Sequence, residues 1–261
     1  MRIRINKASY MDEISTSTVN HFTKFEYLKN IIKTQCFEPR FCLENVEHVN
    51  WRKILELSPD ELETIPKFAY PMVCFTDLPR DKWHIHKDKY GDCVITMTED
   101  WKIKNGLMPI IYLVPGSLVA DNLLSRCLQF AWKYVNNLPE DTPNRKGHAN
   151  FIHLLLEYIK PYKDESHNYY DEREWRFIPW HGFNENPMSL TEEQYHNQAT
   201  RDAANKHLIE NKNNLLNFAY DDIVYIEVPS EEKKQEIAHF LADSFHVDWE
   251  SANNKILIPL K

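Results

Sequence analysis

Glu172 and Glu174 are the residues of this chain whose type and spacing most clearly suggest chemistry. The alternation of polar and large apolar residues over 174–178 predicts a half-buried strand. If both carboxylates lie on that strand, they share one face, with side chains about 7 Å apart at a rise of roughly 3.3 Å per residue. Such a pair could stabilise an oxocarbenium ion and orient or deprotonate a nucleophile, as glycosidic bond cleavage requires. The alternative is a solvated strand edge on which Arg173 and Arg176 pair locally with the acids.

Other side chains at predicted strand ends could contact a ligand. His21, supported by Thr23, follows an early strand, where an imidazole could hydrogen-bond a ligand hydroxyl or carbonyl. Thr76 ends an apolar strand, and Tyr90 offers a ring for stacking on a planar group. Ordinary packing or turn formation explains Thr76 and Tyr90 better than ligand contact does, and a lone histidine is more often a structural residue. Cys74 is disfavoured as a nucleophile, because a thiolate inside its apolar run would be desolvated.

Several routes to cofactor binding lack their usual residues. His84 and His86 stand two positions apart, but no third ligand follows at a recognisable spacing, so no metal site is predicted. None of the five glycines belongs to a dinucleotide-binding or P-loop pattern. The five cysteines include no Cys-x-x-Cys spacing, which favours reduced, mostly buried thiols over disulfides or a zinc ribbon.

The charge balance limits the partners of the chain. A net charge of -8 provides no overall basic field, so a nucleic-acid substrate would need a local basic groove. The apolar stretches fall short of the roughly 20 residues that a membrane span requires, and the N-terminus has no apolar signal-peptide region. We therefore expect a cytoplasmic protein that makes no membrane contact.

The predicted elements are short strands interrupted by helices of unequal length, which favours an α+β fold with a mixed, split β-sheet core and peripheral helices. Strands are predicted at 19–23, 40–44, 72–76, 92–97, 109–114, 174–178, 223–228 and 255–259, and helices at 25–33, 117–136, 151–159 and 231–245. The strands 92–97 and 109–114 are expected to form a hairpin-like pair. The 261 residues are predicted to form a single domain, 1–261, with a mobile, polar excursion carrying one helix at 182–214.

The order of the short motifs resembles the AbiGi family of abortive-infection phage-resistance proteins. The motifs are His21-Phe22-Thr23, 39–44, 72–79, Tyr90-Gly91, 109–112 and 170–176, and the resemblance runs from about residue 20 to 230. That family is labelled as the antitoxin side of an abortive-infection pair. The resemblance therefore implies a phage-defence context and a cognate toxin or antitoxin as partner.

The same layout is similar to divergent ADP-ribosyltransferases, which implies an ADP-ribosyltransferase-like fold and NAD as co-substrate. In those enzymes a first strand holds the ribose of NAD, a second strand the nicotinamide side, and a late Glu-x-Glu carries the catalytic acid. The resemblance assigns these roles to His21, Thr76 and Glu174, with Glu172 positioning the acceptor and Tyr90 stacking on a ring. The acceptor would be a protein side chain or a nucleic acid, RNA or DNA.

Two functions follow from these resemblances. The leading hypothesis is an NAD-dependent ADP-ribosyltransferase toxin of a phage-defence system. The alternative is a non-catalytic antitoxin or binding module that neutralises a partner toxin. Under this alternative, Glu172 and Glu174 form an ion-paired strand edge and the acidic balance of the chain complements a basic partner surface.

Overall fold

The structure, a computed structural model, describes residues 17–44, 49, 54, 56, 67–142, 153–179 and 189–259. The strands in these residues are β1 Val19–Thr23, β2 Cys36–Phe37, β3 Arg40–Glu44, β4 Phe68–Thr76, β5 Cys93–Met97, β6 Met108–Pro109, β7 Ile111–Leu113, β8 Ile159–Pro161, β9 Glu174–Phe177, β10 Leu190–Thr191, β11 Leu216–Asn217, β12 Ile223–Glu227 and β13 Ile256–Leu257. The α-helices are α1 Phe25–Thr34, α2 His84–Tyr90, α3 Glu99–Lys104, α4 Ser125–Asn137, α5 Glu192–His196, α6 Gln198–Glu210, α7 Glu231–Phe245 and α8 Trp249–Asn254. The prediction of a mixed α+β fold is confirmed.

The chain divides into two compact units. The first unit contains Met1–Lys33, Phe75–Ile103 and Ala219–Lys261, and the second contains Thr34–Cys74 and Lys104–Phe218. That the chain behaves as one domain stays a prediction.

The first unit is built on β5, which lies between two antiparallel neighbours. β1 pairs with one edge of β5 and β12 with the other, and β13 adds to β12 in parallel. All five residues of β5 are buried, which explains its nearly continuous apolar sequence. The antiparallel pair Asn20 and Thr76 joins β1 to the end of β4.

Local sequence features position the helices of the first unit. In α7, the Ser230 side chain accepts a hydrogen bond from the Lys233 amide, and acidic residues occupy the first turn. The helix predicted at 231–245 is therefore confirmed, and Ser230 is its N-cap. Near α2, Trp83 packs with Phe22 in a buried cluster, and its indole nitrogen donates to the carbonyl of Leu78 at 3.0 Å.

The second unit contains several short strand pairs. β4 pairs antiparallel with β3 and with β10, and β9 pairs antiparallel with β6. β7 and β8 run parallel, and β2 and β11 run antiparallel. Its main apolar cluster contains Val49, Ile54, Tyr70, Met72, Leu128 and Leu156.

Two expectations about chain organisation change. The hairpin between 92–97 and 109–114 is wrong: β5 pairs with β1 and β12, whereas β7 pairs with β8. The segment predicted as an excursion at 182–214 carries two α-helices rather than one over 189–214, and Asn205 of α6 accepts a hydrogen bond from the Phe41 amide at 3.0 Å. Residues 180–188 lie outside the described residues, and the predicted mobility stays a prediction.

Candidate functional site

The two candidate carboxylates do not share a strand. Glu172 ends a 3-10 turn at Tyr169–Glu172, and β9 begins only at Glu174. Between them, Arg173 adopts the left-handed conformation with φ 48° and ψ 49°. The left-handed residue interrupts the alternation of a strand, so the predicted placement of both acids on one strand face is wrong.

Lys160 nevertheless connects the two acids. Its Nζ lies 2.6 Å from Oε2 of Glu174 and 3.4 Å from Oε2 of Glu172. Lys160 belongs to β8, and β7 holds β8 in place by parallel pairing. The carboxylates thus meet at one ammonium group through the tertiary fold rather than through strand periodicity.

Arg176 holds Glu174 from the other side. Strand alternation places both residues on the buried face of β9, and the guanidinium Nε donates to Glu174 Oε1 at 2.6 Å. The same guanidinium contacts Glu44 at 3.0 Å and donates to the backbone carbonyl of Glu157. Arg176 is completely buried, and its five donors explain how one side chain reaches all three partners.

These contacts keep the cluster charged. Burial alone would raise the pKa of Glu174, but the positive charges of Arg176 and Lys160 and their hydrogen bonds outweigh it and hold that pKa well below its usual range. Burial opposes the charge of Lys160 as well, yet Glu174 and Glu44 raise its pKa above the ordinary value. Glu174 is therefore an ionised, doubly paired carboxylate at neutral pH.

Glu157 behaves differently. Burial raises its pKa to about 7, against the opposing charge of Arg176. Its backbone carbonyl, rather than its carboxylate, accepts from Arg176. A buried acid that titrates near neutral pH therefore lies beside the permanently charged cluster.

Aromatic and polar groups surround the outer side of the cluster. His167 Nε2 lies 3.0 Å from Glu172 Oε1, and the ring of Tyr169 lies 5.7 Å from Lys160 Nζ. The Tyr169 hydroxyl donates to Asp164 at 2.8 Å, and this bond, together with donors from Ser166, lowers the pKa of Asp164 to about 2. The segment around Glu172 is thus fixed by its own hydrogen bonds.

This arrangement limits what Glu174 could do chemically. A carboxylate with a strongly lowered pKa is a weak base, and one paired with two cations has little uncompensated charge to offer a developing oxocarbenium ion. Its side chain is 7% exposed. The observed geometry favours a structural ion-pair network.

The remaining predicted site residues lie in the first unit. Thr76 is buried, and its hydroxyl accepts a hydrogen bond from the Leu78 amide at 3.2 Å. Thr23 is buried in β1, and the ring of His21 lies 5.4 Å from that of Phe75. Asn20 was not predicted: its amide nitrogen donates to the carbonyls of Thr76 and Leu78, and its amide oxygen accepts from Thr96 at 2.7 Å.

Tyr90 is the exposed member of this group. Its ring stacks on His86 at 5.6 Å, and Lys89 lies 5.0 Å from its centre. Gly91 follows with φ 126°, and a Cβ there would lie 2.5 Å from the backbone of Thr23. The close approach of two backbones therefore explains this glycine.

The predicted site is divided between the two units. His21, Thr23, Thr76 and Tyr90 belong to the first unit, and Glu172 and Glu174 belong to the second. The convergence of these residues on NAD stays a prediction. The sequence analysis missed Lys160, Glu44 and Glu157, and it considered Arg176 only as a local surface partner, although Arg176 lies two residues after Glu174 in a predicted strand.

The described residues also bear on metal sites and membrane spans. No group of three or more potential metal-ligating side chains occurs among the residues that the structure describes. Within the same residues, no helix is both long enough and apolar enough to span a membrane.

Comparison with known proteins extends this description. Fold and cluster together define a mixed α+β protein with a buried ion-pair network, and no solved structure matches it. The chain belongs to the AbiGi family: the family model for an abortive phage resistance protein AbiGi, antitoxin, matches residues 35–229. A relative from Lactococcus lactis subsp. cremoris, "Abortive phage resistance protein AbiGi", is 27% identical over 231 residues, which cover 78% of this chain and 87% of the relative.

The family resemblance inferred from the sequence motifs is therefore confirmed. Membership of this family points to a role in abortive-infection phage defence. The predicted likeness to ADP-ribosyltransferases gains no support from a solved structure.

Proposed function

We propose that this protein is the antitoxin of an abortive-infection phage-defence pair and that it acts by binding and neutralising a partner toxin. The family model carries the antitoxin description over residues 35–229, which include the whole ion-pair cluster. In this proposal, Glu172 and Glu174 stabilise the folded binding module.

The observation that carries the proposal is the pairing of Glu174. Its carboxylate is held between Lys160 at 2.6 Å and Arg176 at 2.6 Å. A substrate would have to displace one of these cations to reach it, and breaking a buried pair is expensive. The arrangement suits a carboxylate whose role is to hold β8 and β9 in place.

Growth assays test the proposal directly. The chain is expressed alone and together with each open reading frame that flanks its gene. We expect normal growth when the chain is expressed alone, arrest by one flanking product alone, and recovery when the two are expressed together. Arrest by this chain alone, relieved by Glu174→Ala, would contradict the proposal and favour the toxin hypothesis.

An enzymatic assay separates the two hypotheses independently. Purified protein is incubated with labelled NAD and with total protein or total RNA as acceptor. We expect no transfer of label above background for the parental chain or for Glu174→Gln. The matched control is Glu193→Gln, which replaces an exposed acid in the first turn of α5. Transfer that Glu174→Gln abolishes and Glu193→Gln preserves would establish an ADP-ribosyltransferase instead.

A further inference from the structure

Helix α4 has apolar or aromatic residues on both of its faces. On the inner face, Leu128 is completely buried in the cluster with Tyr70 and Met72, and Ala131 packs against the same cluster. This contact accounts for the attachment of the helix to its unit. A surface helix of this kind normally presents polar residues on the opposite side.

The outer face of α4 departs from that expectation. We define it by Arg126, Cys127, Phe130 and Tyr134, which fall within one side of the helix at steps of three and four residues. Phe130 is 69% exposed and Tyr134 is 55% exposed. Two large rings one turn apart, each more than half exposed, form an apolar surface of the kind that marks interaction sites.

The charge of this face differs from the acidic average of the chain. Residues 122–139 contain no Asp or Glu and carry two cations, Arg126 and Lys133. Lys133 pairs with Glu56, which also accepts a hydrogen bond from Gln129 at 2.9 Å. Among the described residues, Arg126 has no ion-pair partner. An uncompensated positive charge therefore lies one turn from the exposed Phe130.

We infer that the outer face of α4 is the surface that docks the partner toxin, an inference that rests on the proposed function. Phe130 and Tyr134 enter an apolar groove of the toxin, and Arg126 pairs with a carboxylate at the rim of that groove. A hydrophobic groove recognises a helix through side chains at positions such as i and i+4 on one helical face. Aromatic residues and arginine are also the types that dominate the energy of protein interfaces.

Two other occupants fit the charges less well. In a symmetric dimer, each outer face meets its own copy, where the nearby acid, Glu56, is already held by Lys133 and Gln129. The four residues that define the outer face include no acid with which Arg126 of the other copy could pair. A nucleic acid is bound mainly through several phosphate contacts, and this face offers one unpaired cation.

Binding of the toxin to matched variants tests the inference. The probe is the purified flanking-gene product that arrests growth, measured by biolayer interferometry against the full chain. Phe130→Ala/Tyr134→Ala is expected to weaken binding by about 30-fold or more, which is the threshold of an interface hot spot. Alanine is a good helix former, so melting of the variant should stay near that of the parent. Arg126→Glu should weaken binding by about tenfold or more, and Arg126→Lys much less.

Tyr27→Ala is the control, because Tyr27 is 64% exposed on α1 and is not part of the outer face of α4. It should bind within about twofold of the parent, as most exposed positions do. If the parent rescues growth and binds the toxin, and the double variant binds with the same affinity, the inference is overturned and the antitoxin proposal remains intact. If the parent neither rescues growth nor binds the toxin, the inference and the antitoxin proposal are both overturned.

Two further measurements address the other occupants. Analytical ultracentrifugation of the chain alone would reveal a dimer that the double variant loses. Fluorescence polarisation with a single-stranded RNA oligonucleotide would reveal RNA binding that the double variant loses. Either result would overturn the assignment of the outer face to the toxin, and monomeric protein without RNA binding is the expected outcome.

Discussion

Replacing Arg176 with leucine should destabilise the protein by about 3–5 kcal/mol, the usual result of breaking a buried ion pair. The guanidinium is completely buried and contacts Glu174, Glu44 and the carbonyl of Glu157. Without it, Lys160 is the remaining cation between the carboxylates of Glu174 and Glu172. The carboxylate of Glu44 then loses its 3.0 Å partner inside the protein.

Thermal unfolding followed by circular dichroism measures this effect. For a chain of this size, 3–5 kcal/mol corresponds to a melting temperature lower by roughly 6–20 °C. Arg40→Leu is the matched control, because Arg40 pairs with Glu38 at 2.9 Å but its side chain is 58% exposed. An exposed pair contributes about 0–1 kcal/mol, so the control should melt close to the parent. Equal shifts for the two variants would refute the argument that the cluster is energetically distinct from a surface ion pair.

Replacing Glu174 with glutamine tests the same cluster in a second way. Removing one of the three carboxylates leaves Glu44 and Glu172 opposite Arg176 and Lys160, so the charges of the cluster become balanced. This variant should therefore lose less stability than Arg176→Leu, about 1–3 kcal/mol for the impaired hydrogen bonds. The double variant should be more stable than the sum of the two single effects predicts, because the two side chains interact directly.

Other predictions concern single groups. Burial raises the pKa of Glu157 to about 7 from 4.5, so the folded chain retains a proton that the unfolded chain releases between these pH values. The free energy of unfolding should therefore fall by about 3 kcal/mol as the pH rises through this window. Glu157→Gln should remove this pH dependence in thermal melts between pH 4 and 8. Gly91→Ala should lower stability by more than about 2 kcal/mol in chemical denaturation, whereas Gly106→Ala, with φ 67° and open space, should lose about 1 kcal/mol; equal losses would contradict the close-approach argument. Maleimide labelling followed by mass spectrometry should modify the exposed Cys127 in the native protein and the buried Cys93 only after denaturation, because burial raises the pKa of Cys93 to about 12.

The elements that the sequence predicted well are those whose signals are local. The alternation and apolar runs of β1, β5 and β12 need no distant partner to be recognised, and neither does the Ser230 cap of α7. Strand pairing is different. The turn signal Asn105-Gly106 between the predicted strands 92–97 and 109–114 favours a hairpin. β5 pairs instead with β1 and β12, which lie roughly 70 and 130 residues away along the chain, and no local turn encodes such contacts.

In the candidate site, too, local features were predictable and long-range contacts were not. A carboxylate at Glu174 on a strand was predictable, and so was the presence of Arg176 on the same face two residues later. The left-handed conformation of Arg173 was not, because arginine carries no special preference for it and only the surrounding fold imposes it. The contact of Lys160 with Glu174 could not be predicted from the sequence pattern either, because it depends on the parallel pairing of β7 with β8.

Counter-charges, rather than the spacing of the acids, decide what the Glu-x-Glu segment does. Glu172 and Glu174 would suit glycosidic chemistry if they faced a ligand with free oxygens, and the spacing alone is compatible with that role. Lys160 and Arg176 instead contact the carboxylate of Glu174, and a cationic transition state would have to compete with these two cations for it. Under the proposed antitoxin function, a rigid charged interior and an exposed aromatic face are complementary features, because a fixed scaffold reduces the entropy lost when the face docks. Variants of the cluster should therefore weaken toxin neutralisation in proportion to lost stability, whereas variants of the outer face of α4 should weaken it at unchanged stability.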